Sequence, residues 1–183
     1  MKVAPATLVA VDVAAWAVFH GGTAYAAHRA PRRWFADDTW LTRARPWERD
    51  GRTYERLGIR RWKDRLPEAG ALFAGGVSKR RIPGGPDGLA RFAAETRRGE
   101  WAHATAAACA PLFALWNPPR IAAVMVVYGI AANAPFIAVQ RYNRLRVGRV
   151  LARRTRRSLP AASGSSAAAR SRSSRGNTGR SIP

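Results

Sequence analysis

The chain has 183 residues, 32 Lys and Arg against 11 Asp and Glu, and a formal net charge of +21. That length gives one domain and excludes two large ones, and so basic a balance points to nucleic acid or to an anionic membrane surface. Cys109 is the only cysteine, which excludes an internal disulfide, and His20, His28 and His103 show no metal-ligand spacing, so no metal and no cofactor is expected.

The first element is the apolar stretch Val3–Ala27, interrupted by Asp12 and His20. It reads as a membrane helix or a signal peptide, with Ala24-Tyr25-Ala26 resembling a cleavage site. The sequence favours an uncleaved helix. Its amino-terminal side carries only Lys2, and Arg29, Arg32 and Arg33 follow at once, holding that end in the cytoplasm.

Residues 28–87 form a basic segment studded with Trp34, Phe35, Trp40, Leu41, Trp47, Tyr54, Leu57, Ile59, Trp62 and Leu66. Nothing in it is long enough to span a bilayer. Aromatic rings beside Arg suit the headgroup boundary, while a small soluble core with a solvated basic face is the other reading. Arg52–Leu66 is expected to be helical, broken near Gly58 and stopped before Pro67. Residues 70–88 read as a glycine- and proline-rich loop.

Asp87 is the expected N-cap of a helix from Gly88, amphipathic at first and wholly apolar after His103. Asn117-Pro118-Pro119 breaks it. The next helix is expected over Arg120–Gln140, and its Ile121–Gln140 portion holds no charged residue, about the 20 residues that span a bilayer core. A soluble nucleic-acid binder has no use for that segment, so membrane lipids are the expected partner and nucleic acid is not. Two helices joined by so short a turn are antiparallel neighbours. Beyond 151 the chain holds Arg, Ser, Ala and Gly, no acid and no aromatic residue to stack on bases, the composition of a disordered basic tail.

The expected fold is therefore an all-α integral membrane protein with three membrane helices, a C-terminal helical hairpin and an interfacial amphipathic segment. Its parts are an N-terminal helix (1–27), the interfacial segment (28–87), the hairpin (88–150) and the tail (151–183). Residues 28–101 carry 18 basic residues and 141–183 carry 12, against Arg120 alone in the turn. That distribution predicts a multi-pass cell-membrane protein with its N-terminus outside, its C-terminus inside and its polar face cytoplasmic.

Counting 15 residues either way from 118 pairs His103 with Asn133, each about 22 Å from the turn. The same count draws Glu95, Glu100, His103, Asn133, Gln140, Arg141, Tyr142 and Asn143 toward one patch. Glu100 and His103 share a helix face, and a carboxylate beside an imidazole favours general-base work. The alternatives stay open at this point. Glu100 and His103 can simply pair with Arg141 or Arg144, Tyr142 can be an interfacial anchor, and Asn133 can be a helix-to-helix bond.

Three blocks carry a resemblance. They are Ile59-Arg60-Arg61-Trp62-Lys63-Asp64-Arg65-Leu66-Pro67, then Glu95-Thr96-Arg97-Arg98-Gly99-Glu100-Trp101-Ala102-His103, then Asn133-Ala134-Pro135 leading to Gln140-Arg141-Tyr142-Asn143-Arg144-Leu145-Arg146. In order and internal spacing they resemble the glycosyl-4,4'-diaponeurosporenoate acyltransferase family, small membrane proteins of staphyloxanthin-type carotenoid biosynthesis, over roughly residues 45–150. The long Arg/Ser/Ala tail and the loop 70–88 depart from the family's pattern. The resemblance implies transfer of a fatty acyl group to a sugar hydroxyl of a membrane-embedded acceptor, a carotenoid glycoside in the family's named case.

Chemistry then suggests roles for the matching positions. His103 is the candidate general base, oriented by Glu100, with Glu95 holding a sugar hydroxyl or an Arg. Arg141, Arg144, Lys63 and Arg61 are the candidate ligands for the phosphates of an acyl-CoA co-substrate. Asn143 or Gln140 is the candidate oxyanion donor. Trp62 either stacks on adenine or sugar or anchors its segment at the interface. Because no HxxxxD acyltransferase motif is present, a non-catalytic membrane scaffold or assembly protein of a lipid-modifying complex remains the rival reading.

Overall fold

The computed structural model describes residues 4–67 and 85–158. Every regular element among them is helical. Helix α1 (Pro5–Arg29) opens on a proline, which costs nothing in a first turn whose N–H groups have no partner in the helix. It stops where Ala30 turns extended ahead of Pro31, as the residue before a proline must. Short 3-10 turns at Arg32–Phe35 and Pro46–Gly51 lead to α2 (Arg52–Arg56) and α3 (Ile59–Trp62), separated at Gly58 as the sequence predicts. Chain direction then turns extended at Leu66, before Pro67.

Helix α4 runs Gly85–Ala108 and continues through a 3-10 stretch, Ala110–Leu115. It begins three residues before the expected start, so Asp87 lies inside the first turn, where its charge meets the helix dipole. Helix α5 spans Pro119–Ser158, with Pro135 inside it, and outlasts the expected end at Gln140 by more than four turns. The basic side chains after Gln140 point along a continuing helix, so charge did not end it.

Residues through Arg149 form one compact unit. In the second, the described residues Val150–Ser158 are the last turns of α5, with the Thr155 hydroxyl donating to the Leu151 carbonyl. The first residues assigned to a disordered tail are thus helical. The rest of that tail, and all but the end of the loop expected over 70–88, lie outside the described residues.

Three helices pack around aromatic rings. Trp16 of α1 meets Phe113 at 4.9 Å and Tyr128 of α5 at 5.2 Å between ring centroids. Gly129 makes that approach possible, since a Cβ there would lie 2.8 Å from the Trp16 ring and 2.9 Å from the Ala110 Cβ. Helix α1 runs antiparallel to α4: Asp12 accepts from Trp116 Nε1 and Asn117 Nδ2, both at 2.8 Å, while Arg98 reaches the His28 and Ala30 carbonyls at the opposite end.

A second core forms where residues 54–66 lie on α5. Tyr54, Ile59, Val139 and Tyr142 are buried together, with Trp62, Leu66 and Leu145 packed against them. The aromatic segment therefore divides. Trp34, Trp40 and Trp47 are exposed as an interfacial face requires, whereas Phe35 is buried beside Trp101 of α4 and Tyr54 is buried against α5.

Helices α1 and α5 are both long and apolar enough to cross a membrane. Only 6% and 17% of their apolar windows are buried, whereas a core helix of a soluble protein would be mostly covered. Val9, Val13 and Val18 of α1, and Val124, Val127 and Ile130 of α5, face outward.

Candidate active site

The symmetric count about residue 118 is met by a contact. His103 Nδ1 lies 2.9 Å from Asn133 Oδ1, joining α4 to α5. An amide oxygen only accepts, so His103 carries its hydrogen on Nδ1 and donates it. The ring is half-buried and stacked on Phe136, with centroids 4.5 Å apart and planes 12° from parallel. Asn133 is 1% exposed. Its Nδ2 donates to the Gly129 carbonyl at 2.9 Å and lies 3.4 Å from Nε2 of His20, across on α1. His20 Nδ1 in turn lies 3.0 Å from the Trp16 carbonyl. Both polar interruptions of α1, Asp12 and His20, thus turn into the bundle.

A different layer lies further along α5. Arg141 uses all five of its N–H groups. Nε and Nη2 grip the two oxygens of Glu48 at 2.7 and 2.8 Å, Nη1 donates to Glu100 and to the Leu41 carbonyl, and Nη2 also reaches the Arg43 carbonyl. The second oxygen of Glu100 accepts from Arg144 Nη2 at 2.6 Å, and Arg144 also donates to the Thr42 carbonyl. Glu48, Glu100, Arg141 and Arg144 are all buried, two charges of each sign. Arg144 Nη1 is buried and unpaired. Burial by itself pushes the Glu48 carboxyl up, but the hydrogen bonds from Arg141, Tyr54 and the Arg45 N–H outweigh it and hold Glu48 below its ordinary value. Burial and the Glu48 charge hold the Tyr54 phenol well above its usual range.

This geometry corrects several expected roles. Glu100 makes no bond to His103; both its oxygens are taken by arginines, and the ring's Nδ1 is bonded to Asn133 instead. Arg141 has no donor left for a phosphate, and Arg144 has only its buried Nη1 group over, sealed from solvent. Tyr142 is 1% exposed and is a core residue, its hydroxyl between Arg60 and Glu55 at 3.3 Å each, so it is not an interfacial anchor. Trp62 packs on that same core instead of offering a stacking face. Glu95 pairs with Arg98 at 3.8 Å, Lys63 with Asp64 at 2.7 Å, and Arg61 is exposed. Gln140 lies across Gly99, and Asn143 is half-buried. Asn143 stands ten residues beyond Asn133, about 15 Å along the helix, too far to share a reacting atom with His103.

Two participants, Glu48 and Phe136, escape a sequence reading, and a third, His20, is legible only as a polar interruption of α1 that can turn toward the bundle. Glu48 is fully buried, 93 residues from the arginine it binds. Its only signal is an acid in a chain that has few, behind Pro46-Trp47. Phe136 looks like one more lipid-facing residue. His20 carries a signal, since an ionisable group inside an apolar helix is costly and usually has a partner.

Residues 31–153, two thirds of the chain, match the family described as glycosyl-4,4'-diaponeurosporenoate acyltransferase, and the chain belongs to that family. No curated protein and no solved structure matches it. Membership in an acyltransferase family decides between the enzyme and scaffold readings that the sequence left open.

Proposed function

We propose that this member of the glycosyl-4,4'-diaponeurosporenoate acyltransferase family uses His103 Nε2 as the general base that prepares a sugar hydroxyl for acylation. The observation that carries this is the state of the ring. Its Nδ1–H is committed to Asn133, so Nε2 holds the lone pair, and among the described residues nothing bonds to it. Nε2 takes the hydroxyl proton as that oxygen attacks the acyl carbonyl carbon. The tetrahedral intermediate expels the donor's leaving group, a thiolate if the donor is an acyl-CoA, and the imidazolium returns its proton to it. Phe136 lies flat against the ring, and a cation over an aromatic face is stabilised, so the charged ring gains most as the proton transfers.

The acceptor is a membrane-embedded glycosylated lipid, a carotenoid glycoside by the family's description. Three passes hold the site: α1, the apolar part of α4 continued by Ala110–Leu115, and the first half of α5. The tie between Asp12 and Trp116-Asn117 supports placing the start of α1 and the hairpin turn on one side, and it gives α1 a reason to be retained. The basic residues then gather at the cytoplasmic face, where exposed Arg61 is available for donor phosphates. Lys63 beside it is paired with Asp64.

The test is acyl transfer from labelled acyl-CoA to extracted lipid acceptor in membranes bearing the protein. His103→Ala lowers turnover by about a hundredfold or more, the scale of losing a positioned base, while membrane insertion persists. Transfer at the parental rate would remove the base assignment.

A further inference from the structure

We infer that His20 and Asn133 are positioning residues that act in series to hold His103 in the tautomer with its lone pair on Nε2. This rests on the general-base reading of His103 and extends it to a residue on a different helix.

Each link forces the next. The Trp16 carbonyl only accepts, so neutral His20 carries its hydrogen on Nδ1 and its lone pair on Nε2. That lone pair faces a nitrogen of Asn133, which must therefore be the amide NH2 and not the carbonyl oxygen. The Gly129 carbonyl, 2.9 Å from the same nitrogen, demands the same orientation. With both hydrogens of Nδ2 engaged, the amide presents Oδ1 to His103, and His103 must donate from Nδ1. Rotating the amide by half a turn would set oxygen against the Gly129 carbonyl and against a nitrogen lone pair. Two repulsions at a site 1% exposed to solvent are each costly, because neither group finds water instead. Phe136 then fixes the plane of the His103 ring. The chain of bonds therefore runs from the α1 backbone, through α5, to α4, and leaves one ring nitrogen without a partner among the described residues.

The arrangement also explains why a single-pass anchor would not suffice for α1. The helix supplies the end of the relay, four residues after the carbonyl that sets it. A hydrophobic residue at position 20 would serve a mere anchor better, since an imidazole amid apolar helices is expensive to bury.

The experiment reads the tautomer directly. Full-length protein with 15N-labelled histidine is studied in detergent micelles, and the signals of His20, His28 and His103 are assigned with single His→Gln variants. In the parent, His103 and His20 should both be protonated on Nδ1 and bare on Nε2. Asn133→Leu keeps the volume and removes the acceptor; His103 should then shift toward the Nε2–H form, and kcat should fall about tenfold or more with KM for the acyl donor unchanged. His20→Phe keeps the ring against Trp16 and should give mixed His103 tautomers with a smaller fall in kcat. Asn133→Asp keeps an acceptor for His103 and should recover most of the turnover, while His20 gains a proton on Nε2 to meet the carboxylate. A parental His103 protonated on Nε2 overturns the proposal whatever the activity. So does an Asn133→Leu protein that keeps the parental tautomer yet loses turnover, because the residue's role would then be structural. A shifted tautomer with full turnover would instead leave the relay standing and remove His103 as the base. If Asn133→Leu does not fold, the parental spectrum and the Asn133→Asp signature of His20 still decide.

Discussion

Two polar layers lie between α4 and α5, and each has a polar side chain 1% exposed at its centre, Glu100 in one and Asn133 in the other. In one, Glu48, Glu100, Arg141 and Arg144 cancel one another's charge, and Arg141 has no hydrogen left to give. In the other, His20, Asn133 and His103 carry no net charge in the tautomers their bonds require, and one nitrogen lone pair remains. Burial and polarity alone do not separate a site from a brace. What separates them is what each leaves unused. The charged layer fastens residues 41–48 to α5 and leaves over only the sealed Nη1 of Arg144, a donor that is already charged; the other layer leaves a nitrogen lone pair available for chemistry. Both lie close in sequence on α4, at Glu100 and His103, which is why they read as one patch.

The largest effect should come from opening the charged layer. Glu100→Ala leaves buried Arg144 with only the exposed carboxylate of Asp38, 3.6 Å from its Nε, and leaves Arg141 with Glu48 alone; breaking a buried pair in this way costs about 3–5 kcal/mol. Thermal denaturation in detergent should show it, and membranes should hold little of the variant. A double-mutant cycle pairing Glu100→Ala with Arg144→Met should recover part of the loss, since apolar replacement of both partners removes the orphaned charge. If Glu100→Ala is as stable as the parent but inactive, the layer is not a brace and the contrast fails.

The complementary variant, His103→Ala, should leave the denaturation midpoint within a few degrees of the parent while removing about 2.7 kcal/mol of transition-state stabilisation, the equivalent of its hundredfold loss of turnover. The two variants should therefore exchange places between a stability assay and an activity assay. A large stability loss in His103→Ala would merge the two layers into one structural unit.

Much of this was legible in advance, for identifiable reasons. Asn117-Pro118-Pro119 fixes the turn, and with the turn fixed a helix rises by a constant step, so the pairing of His103 with Asn133 follows by counting. Which partner a side chain takes depends on helix rotation and on segments with no periodicity. Arg141 is bound by the Leu41 and Arg43 carbonyls and by Glu48, all from an irregular stretch nearly a hundred residues away. Nothing in the QRYNR block announces that its first arginine faces inward. An excess of basic residues points toward phosphate, whereas the scarcer acids, Glu48 and Glu100, mark where the fold is pinned.

A moderate effect is expected at Gly51, where the irregular stretch meets α5. Arg49, Asp50 and Gly51 are three successive residues with positive φ, at 48°, 57° and 91°. A Cβ on Gly51 would also sit 3.4 Å from Tyr142 and 3.5 Å from Leu145. The contacts are ordinary, so the backbone decides, and Gly51→Ala should lose about 1–2 kcal/mol in the same denaturation assay. Activity per folded molecule should stay parental, because the strain falls in the bracing region and not on the relay. A variant with parental stability would mean that this segment is not held against α5 in its left-handed form.

The smallest effect should be at Glu55, which binds Arg60 and Arg149 at 2.9 and 3.0 Å at the edge of the second core. Hydrogen bonds from Arg149 and then Arg60 lower its carboxyl to about 2, from an ordinary value of 4.5. A group whose folded value is depressed adds stability above its unfolded value and loses it as pH falls toward the folded one. The contribution is therefore complete above about pH 4.5 and gone near pH 2. Ion pairs in contact with water are screened and contribute little, so Glu55→Gln should move the denaturation midpoint at pH 7 by less than about 2 °C, and by less still in high salt. Glu48 has the same sign, since its carboxyl is also lowered, but it is fully buried. Glu48→Gln should therefore cost far more, and salt should scarcely change the loss. Equal and equally salt-sensitive losses in the two variants would show that Glu48 is reached by water, and the charged layer would then lose its standing as a sealed brace beside an open site.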